Sequence, residues 1–409
     1  MNLLVYEHIT GGGYADGKIA PSILCEGYAM LRTLTLDLKA VGHNVTTFLD
    51  SRLKTFNPLI EADNIVSISS PDDLNKALEK FSQAADGVYI VAPESGQVLQ
   101  KLVETVEASG GISLNCRIKA IEKASNKMTT YEILKKNRVR VPETLMIDLY
   151  ENVKQIEHRV RDLGFPLVFK PLDGVGCCGL SVVKEESHIA AATNKIVKET
   201  SNKYFIAQRL IRGIAASVSL TSTDDEALPI TLNKQMITLS QPRSDSRYNG
   251  GIVPLHHPSE AEALRIAKTA VKSLTGLRGY VGVDIVLTSN GPVVMEVNPR
   301  LTTSYVGLRR VLNFNPAQAM VDAVLERKLP KNVRTSGYAF FLKAAVPALT
   351  HETIVKTYRL NGVLSPPFPI TESKMTYALL ASYSAKFRDA KMELYKAKKS
   401  LLSILSVGD

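Results

Sequence analysis

Gly279-Tyr-Val-Gly-Val-Asp-Ile-Val-Leu-Thr-Ser-Asn-Gly-Pro-Val-Val-Met-Glu-Val-Asn-Pro-Arg300 holds two runs rich in β-branched residues, separated by Ser289-Asn290-Gly291. That pattern predicts a β-hairpin. Its register decides its chemistry, because a slip of one residue moves a side chain to the other face. A two-residue Asn290-Gly291 turn sets Asp284 and Glu296 on opposite faces. A three-residue loop with Gly291 in the left-handed conformation sets them directly opposite each other, with Asn298 on the same face. The second register is the expectation. It leaves Val283, Ile285, Val293, Met295 and Val297 for a core. Two carboxylates and a carboxamide form an oxygen-only donor set, suited to a hard divalent cation and to Mg²⁺ in particular, with room left for phosphate oxygens. Arg300 follows at once, a planar cation matched to phosphate or carboxylate. A surface ribbon with two solvated acids is the alternative, and the apolar flanks argue against it.

Upstream of the hairpin, Phe165–Pro171 is an apolar strand that carries one cation, Lys170. A buried ammonium is costly and needs a counter-charge. The strand runs into a segment with Gly174, Gly176 and Gly179, a flap over 174–179 whose amides could close over phosphates. It is not a P-loop, because no Gly-Lys-Ser/Thr follows. Lys127 stands at the start of a helix, where a dipole-complementing residue would be acidic. The strand 204–211 breaks at Arg212-Gly213, and such a break exposes backbone groups around Gln208 and Leu210 that could read a base edge. The polar loop Gln241–Gly251 holds Arg243, Arg247 and Tyr248 and is a candidate clamp or lid for an acidic substrate. Two arginines there suit a small diacid such as glutamate. His256-His257 lacks a neighbouring acid or cysteine for a metal site.

The N-terminal part reads as strands near 2–6, 45–49, 65–68 and 88–91 alternating with helices. That alternation predicts a doubly wound parallel sheet over residues 1–112. Ser22 is read as the cap of a helix with the apolar stripe Ile23, Ala29, Met30, Leu34 and Leu38. Ligands gather at the carboxyl ends of such strands, where Glu7, the Gly11–Gly13 run (Gly12 and Gly13 as substrate-side residues) and Glu94 stand. An aromatic amine would need an apolar slot and an acid for its ammonium, and Glu7 or Glu94 could be that acid. Residues 113–330 form the second region, with a flap subdomain near 140–210. Residues 331–409 read as a basic C-terminal extension ending in a helix over 384–405.

Composition sets outer bounds. The 409 residues are 45% hydrophobic and 22% charged, ordinary for a globular chain with a large core. No apolar run approaches a membrane span and no leader is evident, so a cytoplasmic protein is expected. Cys25, Cys116, Cys177 and Cys178 lack zinc spacing. The formal charge is +10, and residues 331–409 carry 12 Lys/Arg against 5 Asp/Glu. No basic–aromatic recognition pattern accompanies that excess, and anionic small substrates explain it as well as nucleic acid does.

Lys127, Lys170, the glycine flap, the Gln208–Ile211 break and Asp284…Glu296-Val-Asn298-Pro-Arg300, in that order, resemble the ATP-grasp superfamily over roughly 113–330. Residues 1–112 resemble its preceding α/β domain. The resemblance implies an α/β protein with an α+β ATP-grasp fold, acting as an ATP-dependent ligase that joins a small-molecule acid to an amine or a thiol through an acyl phosphate, and it is compatible with a homodimer. It further implies Lys127 and Lys170 on the nucleotide phosphates under the flap, and Gln208 and the Leu210 backbone at adenine. Asp284, Glu296 and Asn298 would hold Mg²⁺ or Mn²⁺, and Arg300 would stabilise phosphoryl transfer. One departure is plain: where many members carry a ribose-binding acid, this chain has Ala215-Ala216. Within the superfamily, Tyr6–Gly13, Ser22–Arg32 and Tyr248-Asn-Gly-Gly251 are similar to the archaeal ligases that join L-glutamate to tyramine in methanofuran synthesis.

Overall fold

The computed structural model describes residues 1–174, 176–370 and 373–405. β1 (Asn2–Glu7) lies between β2 (Asn44–Asp50) and β4 (Gly87–Val91), and β3 (Asn64–Ile68) forms one edge, giving a parallel sheet of order β3-β2-β1-β4. Side chains of a strand alternate between faces. Leu3 and Val5 accordingly enter one core with the Pro21–Ala40 helix, while Leu4 and Tyr6 enter another with the Pro71–Ala84 and Val98–Ala108 helices. The sheet is doubly wound, as expected. The first helix starts differently from the expectation. Its cap is Ala20, Pro21 takes the first helical position, and Ser22 is left inside the first turn with its hydroxyl free for another partner.

The flap subdomain is a four-stranded antiparallel sheet made of β5 (Thr144–Asp148), β6 (Leu167–Pro171), β7 (Ser181–Val183) and β8 (Tyr204–Arg209), in the order β5-β8-β6-β7. Its own core holds Phe169, Phe205 and Ile156. A larger antiparallel sheet runs β13-β12-β9-β10-β11-β14-β16-β15. Its members are β9 (Ile214–Ser222), β10 (Ala227–Thr238), β11 (Arg247–Val253), β12 (Gly279–Thr288), β13 (Gly291–Asn298), β14 (Tyr338–Pro347), β15 (Val363–Ser365) and β16 (Met375–Ser384).

The expected basic extension is therefore corrected. β14 pairs with β11 from Gly250↔Leu342 to Val253↔Ala339, so residues 338–384 complete the central sheet. β14 is apolar apart from Lys343, and an apolar run marks a strand without saying which sheet it joins. The closing helix runs Phe387–Leu405 and packs on β14 and β16 through Ala390, Leu394 and Leu401.

Candidate active site

The hairpin reaches the expected pairing by an unexpected route. Thr288 pairs with Gly291, so the turn is Ser289-Asn290, and the two-residue register holds as far as Ile285↔Val294. A bulge at Met295 then shifts the ladder by one, and Asp284 faces Glu296, with Gly282 opposite Asn298. Gly291 has φ +101°, as the tight turn demands. The bulge also corrects the core assignment. Met295 turns toward the cavity, while Val294 is buried beside Ile285 and Val297.

Asp284 accepts from Gln235 Nε2 at 2.8 Å and from Asn298 Nδ2 at 3.3 Å. Burial, with Glu296 alongside, pushes its carboxyl up to about 7 despite those two donors. Burial acts on Glu296 as well, but Lys127 and Lys170 outweigh it and hold Glu296 below the ordinary value. Two half-buried acids side by side with a carboxamide are a donor set that a divalent cation would neutralise. Among the described residues no group of three His, Cys, Asp or Glu is placed for metal binding, so any ion here depends on Asn298 or on a substrate oxygen for its third donor.

Three cations share the wall of this site. Lys127 Nζ lies 2.7 Å from Glu296 Oε1 and donates to the Gly174 carbonyl at 2.7 Å. Its odd place at a helix start is explained by Asn126, whose Oδ1 accepts from Met128 N and Thr129 N and caps the helix without help from residue 127. Lys170 is buried on β6, and burial lowers its ammonium to about 8, with Glu296 and Asp284 pulling the other way. Among the described residues no carboxylate lies within ion-pair distance of it. Arg300 Nε pairs with Glu94 Oε2 at 2.9 Å, and its NH1 donates to the Leu301 carbonyl. Glu94 is thereby committed to holding the guanidinium.

These groups face one cavity of about 400 Å³. The same cavity is also lined by the apolar side chains of Val168, Ile211, Ile285, Val286 and Met295. Gln208 and Leu210 belong to its lining as well, and so does Ala215, at the position where many members carry an acid. Gln208 donates to Thr144 Oγ1 at 2.8 Å, and the Leu210 amide donates to the Pro166 carbonyl at 3.1 Å. A base read by Leu210 would therefore meet its carbonyl. Gly213 fits the break because a Cβ there would lie 2.2 Å from the Leu287 carbonyl. From the flap, Gly174 and Gly176 line the cavity. Gly179 does not, and packing requires its bare Cα instead, since a Cβ there would lie 2.7 Å from Pro171 Cγ. Val175 lies outside the described residues.

The substrate-side expectations fare unevenly. Glu7 and Tyr248 line the cavity. Gly12 and Gly13 do not; a Cβ would fall 2.5 Å from Ile68 at the first and 2.2 Å from His8 at the second, so packing accounts for both. Arg243 and Arg247 are exposed and outside the lining. Alternation along β11 points Tyr248 inward and Arg247 outward. The loop serves another purpose, holding the flap subdomain: Val182 N donates to Ser240 O, Ser246 Oγ to Leu180 O, and Lys195 Nζ to Ser244 O. The sequence reading missed Gln235, Glu26 and Lys343. Lys343 on β14 lies 2.6 Å from Glu26 Oε1 and 2.8 Å from Ser22 Oγ, over the Tyr248 ring at 5.7 Å, while Thr303 Oγ1 donates to Glu26 Oε2. No spacing signal could have joined residues 26 and 343.

Comparison with known proteins adds the relatives of this chain. Residues 124–304 match the ATP-grasp domain and residues 43–121 the pre ATP-grasp 3 domain. These two matches make the chain an ATP-grasp protein, and the relatives that follow are named as ligases. It is 28% identical over 314 residues to the tyramine–L-glutamate ligase of Methanocaldococcus jannaschii, covering 75% of this chain and 84% of that one. It is 24% identical to a probable alpha-L-glutamate ligase of Vibrio vulnificus, over 58% of this chain and 74% of the relative. Among solved structures, an ATP-grasp superfamily protein from Archaeoglobus fulgidus aligns over 93% of this chain and 99% of its own at TM-score 0.62 and 24% identity. The biotin carboxylase of Campylobacter jejuni aligns over 97% and 90% at TM-score 0.72 and 14% identity, a likeness of fold. Among the described residues no helix is long and apolar enough to cross a membrane.

Proposed function

We propose that this protein joins the γ-carboxylate of L-glutamate to tyramine, using ATP and releasing ADP and phosphate. The observation that carries the reading is one cavity whose lining joins the apolar Val168, Ile211, Ile285 and Met295 to Asp284, Glu296, Asn298, Lys127, Lys170 and Arg300, and we read the apolar part as a slot for a base. A purine fits the slot, stacked between Val168, Ile211 and Met295, and its triphosphate would run toward the lysines beneath Gly174 and Gly176. Asp284, Glu296 and Asn298 would hold Mg²⁺ or Mn²⁺, which supplies charge neutralisation at the phosphates.

The chain's own residues account for the rest. A carboxylate nearing the γ-phosphate meets like charge, and Lys170, Lys127 and Arg300 offset it. The carboxylate oxygen attacks phosphorus and ADP leaves, giving an acyl phosphate. An uncharged amine then attacks the carbonyl carbon, and phosphate departs as the amide forms. Closure of the flap excludes the water that would hydrolyse the intermediate. The choice of glutamate and tyramine is supported by the Methanocaldococcus relative, and a glutamate ligase with another acceptor is supported by the Vibrio relative.

The test is ADP release measured over a matrix of amino acids and amines. Turnover requiring glutamate and tyramine together is the expected result. Turnover with glutamate and an amino acid would move the assignment to the second reading, and ADP release with no acid–amine pair would remove the ligase assignment.

A further inference from the structure

We propose that Glu7 takes the proton from the attacking amine, and that the helix face carrying Ile23, Glu26, Gly27 and Met30 seats that amine. The inference rests on the ligase reading above and extends it to the group that makes the amine a nucleophile.

Residues 23, 26, 27 and 30 follow the i, i+3, i+4, i+7 spacing of a single helical face, and all four line the cavity. They are the only stretch of the Pro21–Ala40 helix that reaches it among the described residues. Ile23 and Met30, with Ile9 and Tyr248, make a largely apolar wall sized for a ring or chain. Gly27 leaves the one gap in it. A Cβ there would lie 2.6 Å from Glu7 Oε2, so the absent side chain is what gives the Glu7 carboxylate its space. Glu26 stands beside the gap, fixed by Lys343 and Thr303.

Glu7 itself closes β1 at the sheet's carboxyl end and is 1% exposed. Its oxygens accept from Ile9 N, Thr10 N and Thr10 Oγ1, which fix the carboxylate without supplying a charge. Among the described residues it forms no ion pair, unlike Glu94, Glu296 and Glu26. The ionisable groups around it are Tyr6 and His8 on its own strand end, Tyr14 in the following loop, Glu26 on the helix and Arg300 beyond β13. Burial raises its carboxyl to about 7 against the pull of Thr10, Ile9 and Arg300, a value suited to a base working near neutrality.

The ligand class follows from these surroundings: a primary amine with an apolar body, entering as an ammonium attracted by two carboxylates. Glu7 accepts one proton, the freed nitrogen lone pair forms the C–N bond, the C–O bond to phosphate breaks, and the expelled phosphate carries off the second nitrogen proton as the amide forms. Lys343 acts through Glu26 and is a positioning residue.

Hydroxylamine separates the two claims, since it is uncharged at neutral pH and small enough to need neither base nor seat. The parent protein with ATP, Mg²⁺ and glutamate should yield both tyramide and, with hydroxylamine, the hydroxamate. In Glu7→Gln the tyramide-to-hydroxamate ratio should fall at least about 100-fold, and the rise of tyramide formation through about pH 7 should vanish. Ile23→Trp, which leaves the bonds of Glu7 in place, should lower the same ratio by filling the seat. An unchanged ratio in Glu7→Gln, or equal loss of both products, overturns the assignment of Glu7. Failure of the parent to form hydroxamate with any acid overturns the ligase reading instead.

Discussion

At the scale of single residues, the informative side chains are the misplaced ones. A lysine in an apolar strand and a lysine at a helix start were legible because each breaks a local rule; the structure pairs Lys127 with Glu296 and sets Lys170 within the field of the same carboxylate. Lys343 breaks the same rule, as the one charge in the apolar run Tyr338–Pro347, but nothing in the sequence ties it to Glu26 across 317 residues. The arginines at 243 and 247 were read for their charge, and alternation along β11 put them outside. Lys170→Met should weaken ATP binding and turnover, while thermal stability holds or rises, because the ammonium that burial disfavours is removed. Nucleotide titration and a melting curve on the same sample check both halves. Glu296→Gln should abolish ADP formation with the fold intact, since it replaces a charged ligand by a neutral one and strips Lys127 of its partner. That loss is on the order of 3–4 kcal/mol in transition-state stabilisation. Full turnover at ordinary Mg²⁺ would refute the metal site.

At the scale of elements, the hairpin shows how a right answer can rest on a different device. The sequence identified two strands and the facing of Asp284 and Glu296, but a bulge is invisible in a pattern of alternating residues, because one extra residue looks like a longer loop. Deleting Met295 removes the extra residue and lets Ile285↔Val294 run straight into Asp284↔Glu296, so the facing of the two acids should survive the loss of the bulge. The expected outcome is a protein that keeps Mg²⁺-dependent ATP turnover but loses the apolar surface Met295 gives the cavity, read as a raised KM for ATP. Loss of all turnover with the fold intact would mean that the bulge itself, and not the facing of the acids, sets the site. The loop 240–246 makes a second case. Its length suggested a substrate clamp, and its backbone carbonyls are instead spent on β7 and Lys195.

At the scale of the whole molecule, both ends of the chain converge on the Pro21–Ala40 helix. Asp37 on that helix is 2% exposed and accepts from Tyr305 Oη at 2.8 Å, with Arg309 Nε at 3.3 Å. Burial raises its carboxyl to about 7 against Tyr305 and Arg309. Because the folded form binds the proton more tightly than the unfolded chain, stability from this group is full below about pH 4 and is lost as pH rises toward 7. Asp37→Asn should flatten that slope, so the parent loses stability relative to the variant across the window by up to about 4 kcal/mol. Parallel denaturation curves at about pH 4.5, 5.5 and 7 read the difference. One core contains Leu3, Val5 and Leu31 together with Phe341, Ile354 and Leu379. On a ribosome the first helix is therefore finished while the strand that covers it is still unmade, and its apolar side stays wet for nearly the whole of synthesis. A nascent chain stalled before residue 338 should consequently be a sticky, protease-sensitive body, and the last seventy residues are the ones that let the first forty come to rest.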